Sequence, residues 1–217
     1  MRLVLSIMPC VMVGAATILV TASPVAFAGA VEDALAGYRA GIHGDYEASV
    51  ALLTGAIKSG RLPPRALLSA YINRGASCTT LARFDDAIAD FDRVLTIEPD
   101  HVIATANKAL ALAKWGRYDE AIEIFNRALT LDPNNAKTLL QRGNAYFDQG
   151  MYSKAITDYD RTLQLSPGLH QAEVNRVEAA RRIAHPDEPC ACNATPVVEA
   201  KDKSARTIEE TASHAKE

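Results

Sequence analysis

Between Leu68 and Leu169 the chain repeats itself three times without a gap, as Leu68–His101, Val102–Asn135 and Ala136–Leu169, each 34 residues long. In register, Asp85-Asp86-Ala87-Ile88, Asp119-Glu120-Ala121-Ile122 and Ser153-Lys154-Ala155-Ile156 coincide. Aromatics keep fixed offsets, with Phe84, Tyr118 and Tyr152 before the alanine and Phe91, Phe125 and Tyr159 after it. Each unit closes on Pro99, Pro133 or Pro167, two residues after an apolar one. A residue before proline is driven out of the α region, so each seam ends a helix. Apolar residues at helical spacing within each unit predict two amphipathic helices. One such hairpin cannot bury its own apolar face, so the units must stack.

The pattern resembles the tetratricopeptide repeat, which has this period. The first unit carries Tyr71, Gly75, Ala87, Phe91 and Pro99, the second Ala109, Ala121, Phe125, Ala128 and Pro133, and the third Gly143, Tyr146, Ala155, Tyr159 and Pro167. Departures are Arg74 and Cys78 for Leu and Tyr, Thr105 for an aromatic, and Thr162 for the last alanine. The resemblance implies an all-α helical-hairpin solenoid, wound as a right-handed superhelix. Small residues at 75, 109 and 143 and at 87, 121 and 155 are expected where the helices of a hairpin cross closely. The rings are expected to fill the layer between hairpins.

The flanks suggest further pieces. Residues 1–28 read as a secretory signal peptide: Arg2, an apolar stretch, Pro24, then Ala26-Phe27-Ala28 before Gly29. An uncleaved anchor is the competing reading. Residues 29–67 read as a degenerate hairpin, because Gly44-Asp45-Tyr46-Glu47-Ala48-Ser49-Val50 aligns with Gly116-Arg117-Tyr118-Asp119-Glu120-Ala121-Ile122. Its first helix is weakened by Gly37 and Gly41, and extra residues around Gly60–Pro64 imply a longer loop. Residues 170–185 read as a capping helix with an apolar stripe of Ala172, Val174, Val177, Ala180 and Ile183. Residues 186–217 have the composition of a disordered tail.

No catalytic constellation is visible. The five histidines fall in different units without metal-ligand spacing, and no nucleophile elbow or phosphate loop occurs. Asp90 and Asp92 point away from each other on one helix and read as solvated charge. The net charge of −3 and the absence of a basic run give no reason to expect nucleic acid. Cys78 reads as a buried small hydrophobe. Cys190-Ala191-Cys192 would close on itself, bridge chains or bind a soft metal in an oxidising compartment, or oxidise without consequence. Asn193-Ala194-Thr195 matches a glycosylation sequon.

The resemblance also implies a concave face lined by the first helix of each unit. Its exposed positions would be Ile72 and Asn73, then Asn107, Leu110 and Lys114, then Lys137, Leu140, Gln141, Asn144, Phe147 and Asp148. Amides of Asn73, Asn107 and Asn144 would pair with the backbone of an extended peptide. The carboxylate clamp of chaperone-binding relatives is incomplete, because only Asn107 and Lys137 match it while Ile72, Ala76 and Gln141 do not. The expectation is a non-catalytic interaction scaffold without a cofactor, exported to a periplasm or secreted, that holds a protein or peptide of the cell envelope and leaves the membrane once the signal is cleaved. Self-association, through the solenoid face or the Cys190/Cys192 pair, and a redox or metal role for those cysteines are the alternatives.

Overall fold

The computed structural model describes residues 24–186. Most of the expected signal peptide with Cys10, the Cys190/Cys192 pair, the Asn193 sequon and residues 187–217 lie outside the described residues. Nine helices and no strand occur among those described: α1 (Pro24–Ile42), α2 (Tyr46–Lys58), α3 (Pro64–Thr80), α4 (Phe84–Ile97), α5 (Val102–Lys114), α6 (Tyr118–Leu131), α7 (Ala136–Asp148), α8 (Tyr152–Leu165) and α9 (His170–Ala184). Consecutive helices pair as hairpins α1–α2, α3–α4, α5–α6 and α7–α8, and α9 docks on α8. The expected cleavage site, Ala26-Phe27-Ala28, lies within α1.

The three alanines occupy equivalent enclosed positions: Ala87, Ala121 and Ala155 are each 0 % exposed. Phe91, Phe125 and Tyr159 are fully buried one turn later. Each ring fills the layer to the next hairpin, where it meets a small residue one period apart. Ala111 packs into the Phe91 cluster, Ala145 into that of Phe125, and Ala179 into that of Tyr159. At the crossing slot a Cβ on Gly75 would lie 2.8 Å from Phe91 Cε1, and one on Gly143 would lie 2.7 Å from Tyr159 Cε1. The same slot in α1 is Gly37, whose Cβ would stand 2.7 Å from Leu53 Cγ. The glycine that weakens α1 by propensity therefore lets α2 approach it.

Turns inside the hairpins need a left-handed residue, supplied by Gly44, Gly116 and Gly150 at φ of 85°, 84° and 78°. In the first full repeat that place is taken by Ala82 at φ 57°. A Cβ in this region costs about 1 kcal/mol or more. Ala82→Gly is expected to stabilise the protein by about 1 kcal/mol, read as a higher urea midpoint; an unchanged or lower midpoint would contradict the strain.

Two expectations are corrected. Asp90 is not solvated charge. It is 3 % exposed and takes both arms of the Arg74 guanidinium, at 2.8 Å from Nε and 2.6 Å from Nη2. Asp158 does the same for Arg142, at 2.7 and 2.6 Å. These carboxylates raise the pKa of both arginines, chiefly through the hydrogen bonds. The partners are sixteen residues apart on facing helices, a relation that same-helix spacing does not test. Each guanidinium also reaches back to the preceding hairpin, Arg74 to Thr54 and Arg142 to Asn126. In the middle repeat Ile124 stands where the aspartate would be, and Lys108 turns back to Asp92 at 2.6 Å. Arg176 likewise reaches Asp160 at 3.1 Å. One cation per repeat thus staples successive hairpins.

The second correction concerns α9. Its buried residues are Ala172 and Ala179, whereas Val174, Val177 and Ile183 are 47 %, 59 % and 51 % exposed. The helix docks through Ala172 of the expected stripe and through Ala179, which follows the register of Ala111 and Ala145, so Val174, Val177 and Ile183 lie off the contact.

Candidate functional site

α3 touches both α1 and α5, α5 touches α7, and α7 touches α9, while no two second helices of neighbouring hairpins meet among the described residues. The first helices are therefore the closely spaced side of a curved stack, and their free faces line its concave surface.

Register aligns the concave positions into rows. One row runs Leu35, Asn73, Asn107, Gln141, Asn175, stepping by 34 residues after the longer first interval. Asn73, Asn107 and Gln141 are half-buried, and no side-chain hydrogen bond is made by any of them among the described residues. Asn144 differs. Its Oδ1 accepts from Tyr159 Oη at 2.9 Å and from Asn175 Nδ2 at 2.7 Å. That oxygen ties α8 and α9 to α7, so the third free amide of the row is Gln141. The two lie one helical turn apart: Gln141 is in register with Asn73 and Asn107, while Asn144 lines the α7/α9 cleft with its oxygen engaged. Burial raises the Tyr159 pKa well above the ordinary phenol value, keeping it a donor.

Clefts open at both ends of the face. Between α1 and α3 a space of about 350 Å³ is lined by Val31, Ala34, Leu35, Tyr38, Ser69 and Asn73, among others. A neighbouring one of about 200 Å³ includes Tyr38, Ile42, Asn73 and the hydrogen-bonded hydroxyls of Ser49 and Ser77, 2.9 Å apart. Leu35, Tyr38 and Ile42 are 48 %, 46 % and 63 % exposed. Sequence reasoning missed them, although their i, i+3, i+7 spacing was available. Between α7 and α9 a cleft of about 340 Å³ is lined by Asn144, Phe147, Asp148, Tyr159, Val174, Asn175 and Glu178.

Of the other expected positions, Ile72, Leu110 and Leu140 are half-buried, with Ile72 packed against the Val94 cluster, Leu110 against that of Phe125 and Leu140 against that of Tyr159. Lys114, Lys137 and Asp148 are exposed. Phe147 packs edge-on to Tyr152 with centroids 5.2 Å apart. Desolvation in the cleft raises the Asp148 pKa, and Arg181 with Arg182 holds that of Glu178 down to about 2. Cys78 is buried, and burial raises its thiol pKa, which makes it a poor nucleophile. Among the described residues no group of three His, Cys, Asp or Glu is placed to hold a metal. No described helix is long and apolar enough to cross a membrane.

The fold and this face define a tetratricopeptide-type helical solenoid. Tetratricopeptide repeat models match residues 80–136 and 136–169. Solved structures agree in fold. A tetratricopeptide repeat protein from Parabacteroides merdae is 18 % identical, with a TM-score of 0.61, over 75 % of this chain and 62 % of that one. The first tetratricopeptide domain of Spaghetti (RPAP3), bound to the HSP90 peptide SRMEEVD, is 22 % identical, with a TM-score of 0.51, over 54 % of this chain and 93 % of that one. YrrB, described as a protein with an unusual peptide-binding site, is 19 % identical, with a TM-score of 0.56, over 65 % and 71 %. At these identities the likeness is one of fold alone. No curated protein matches the sequence significantly.

Proposed function

We propose that the protein is a non-catalytic scaffold that holds an extended segment of a partner protein along its concave face. The observation that carries this reading is the row of unpaired, half-buried amides at Asn73, Asn107 and Gln141. Each amide presents a donor and an acceptor, which suits a strand whose own amide and carbonyl groups lose water on entering the groove. The apolar wall of Leu35, Tyr38 and Ile42 offers an anchor point at one end. Peptide binding by the RPAP3 domain, and the peptide-binding site described for YrrB, support the reading on the same fold.

The sequence of residues 1–28 supports export, and with it a partner in the periplasm, in the cell envelope or outside the cell. Secretion of a fusion carrying residues 1–28, with the mature chain starting at Gly29, would support that location; retention of the fused reporter in the cytoplasm would refute it.

The triple substitution Asn73→Ala/Asn107→Ala/Gln141→Ala is expected to abolish capture of partner peptides while circular dichroism stays unchanged, since none of the three makes a side-chain hydrogen bond that holds the fold. Each lost backbone bond removes about 1 kcal/mol, so the three together weaken binding about a hundredfold. Undiminished binding would defeat the groove reading.

A further inference from the structure

We infer that the segment held in the groove carries a basic side chain seated between α7 and α9, with a large apolar side chain near its other end. The inference rests on the groove reading and adds the chemistry of the ligand. It starts from the distribution of charge along the concave face. At the α1/α3 end the lining is apolar, through Leu35 and Tyr38. Lys114 on α5 and Lys137 in the first turn of α7 are exposed and in no ion pair among the described residues. At the α7/α9 end the cleft holds Asp148, which has no hydrogen bond or ion pair among the described residues. Its pKa is raised by desolvation.

Asp148 is exposed at the mouth of the cleft, where an entering cation can pair with it and make charge-assisted hydrogen bonds. Phe147 forms an adjoining wall, and an aromatic ring favours a cation further. Asn144 and Glu178 are already committed, the first through its oxygen to Tyr159 and Asn175, the second to Arg181 and Arg182. Asp148 is therefore the acceptor left for an incoming ammonium or guanidinium. Lys114 at the end of α5 and Lys137 in the first turn of α7 repel the same group, which favours the end of α7 where Asp148 stands. Three steps between neighbouring first helices separate the two clefts, about 25–30 Å at usual helix spacing. An extended chain covers that in about eight or nine residues.

A phage-displayed random dodecapeptide library, selected on the purified protein, tests this. The expected pool is enriched in Arg or Lys about eight or nine positions from a large apolar residue. Asp148→Lys reproduces the residue that α5 carries at the equivalent position, Lys114, so the fold tolerates it. It should weaken binding of the dominant fluorescein-labelled peptide about tenfold or more, and an Arg/Lys→Glu copy of that peptide should regain binding to the variant. A selected pool without basic enrichment, or a dominant peptide indifferent to Asp148→Lys, overturns this inference and leaves the groove reading standing. No selected binder at all, or the same pool on the Asn73/Asn107/Gln141 triple variant, overturns both.

Discussion

Asp158→Ala is expected to destabilise the protein by about 3 kcal/mol, because it strands a guanidinium whose surroundings were built around a carboxylate. The Asp158 side chain is 5 % exposed and that of Arg142 is 18 % exposed, so water can replace little of what is lost. Arg142 retains Asn126 Oδ1 at 2.7 Å, which holds the cost at the low end for a buried pair. The middle repeat shows how the loss can be repaired. There an isoleucine, Ile124, fills the aspartate slot, and the cation is satisfied by a carboxylate of the preceding hairpin, Asp92. Asn126 is the residue equivalent to Asp92, so Asn126→Asp in the Asp158→Ala background should recover about 1.5 kcal/mol. Urea unfolding of both variants decides the matter. A single substitution costing less than about 1 kcal/mol, or a double no better than the single, would mean that the pair is incidental.

Tyr159→Ala is expected to cost about 3–5 kcal/mol, the usual range for emptying a fully buried aromatic site. The ring fills the space left by Gly143, packs with Ala179, and donates through Oη to Asn144. Its loss should not be felt evenly. In a stack each hairpin is held only by its neighbours, so α8 and α9 should lose amide-exchange protection while α1 to α4 keep theirs. Tyr159→Phe keeps the packing and gives up one hydrogen bond, for about 1 kcal/mol. Uniform loss of protection along the chain would refute the local picture.

These two residues also show what could be read from the sequence. Tyr159 was legible because its partner Gly143 and its counterparts Phe91 and Phe125 recur at one period, and periodicity reports what every hairpin needs. The Arg142–Asp158 pair was not, since it joins facing helices and is missing from the middle repeat, where Ile124 breaks the pattern. The concave face was legible as a face but not residue by residue. Asn144 looked like the third free amide until the hydrogen bonds from Tyr159 and Asn175 showed its oxygen to be committed, and Gln141 was the member in register. Leu35 and Tyr38 were hidden by the longer first interval and by Gly37, which suggested a poor helix where the glycine marks close packing.

Val177 sits in α9 at the place held by Gly37, Gly75, Ala109 and Gly143 in the four preceding first helices. A branched side chain there keeps any following helix from nesting at the depth the others reach. Grafting another hairpin onto α9 would have to begin by making that residue small.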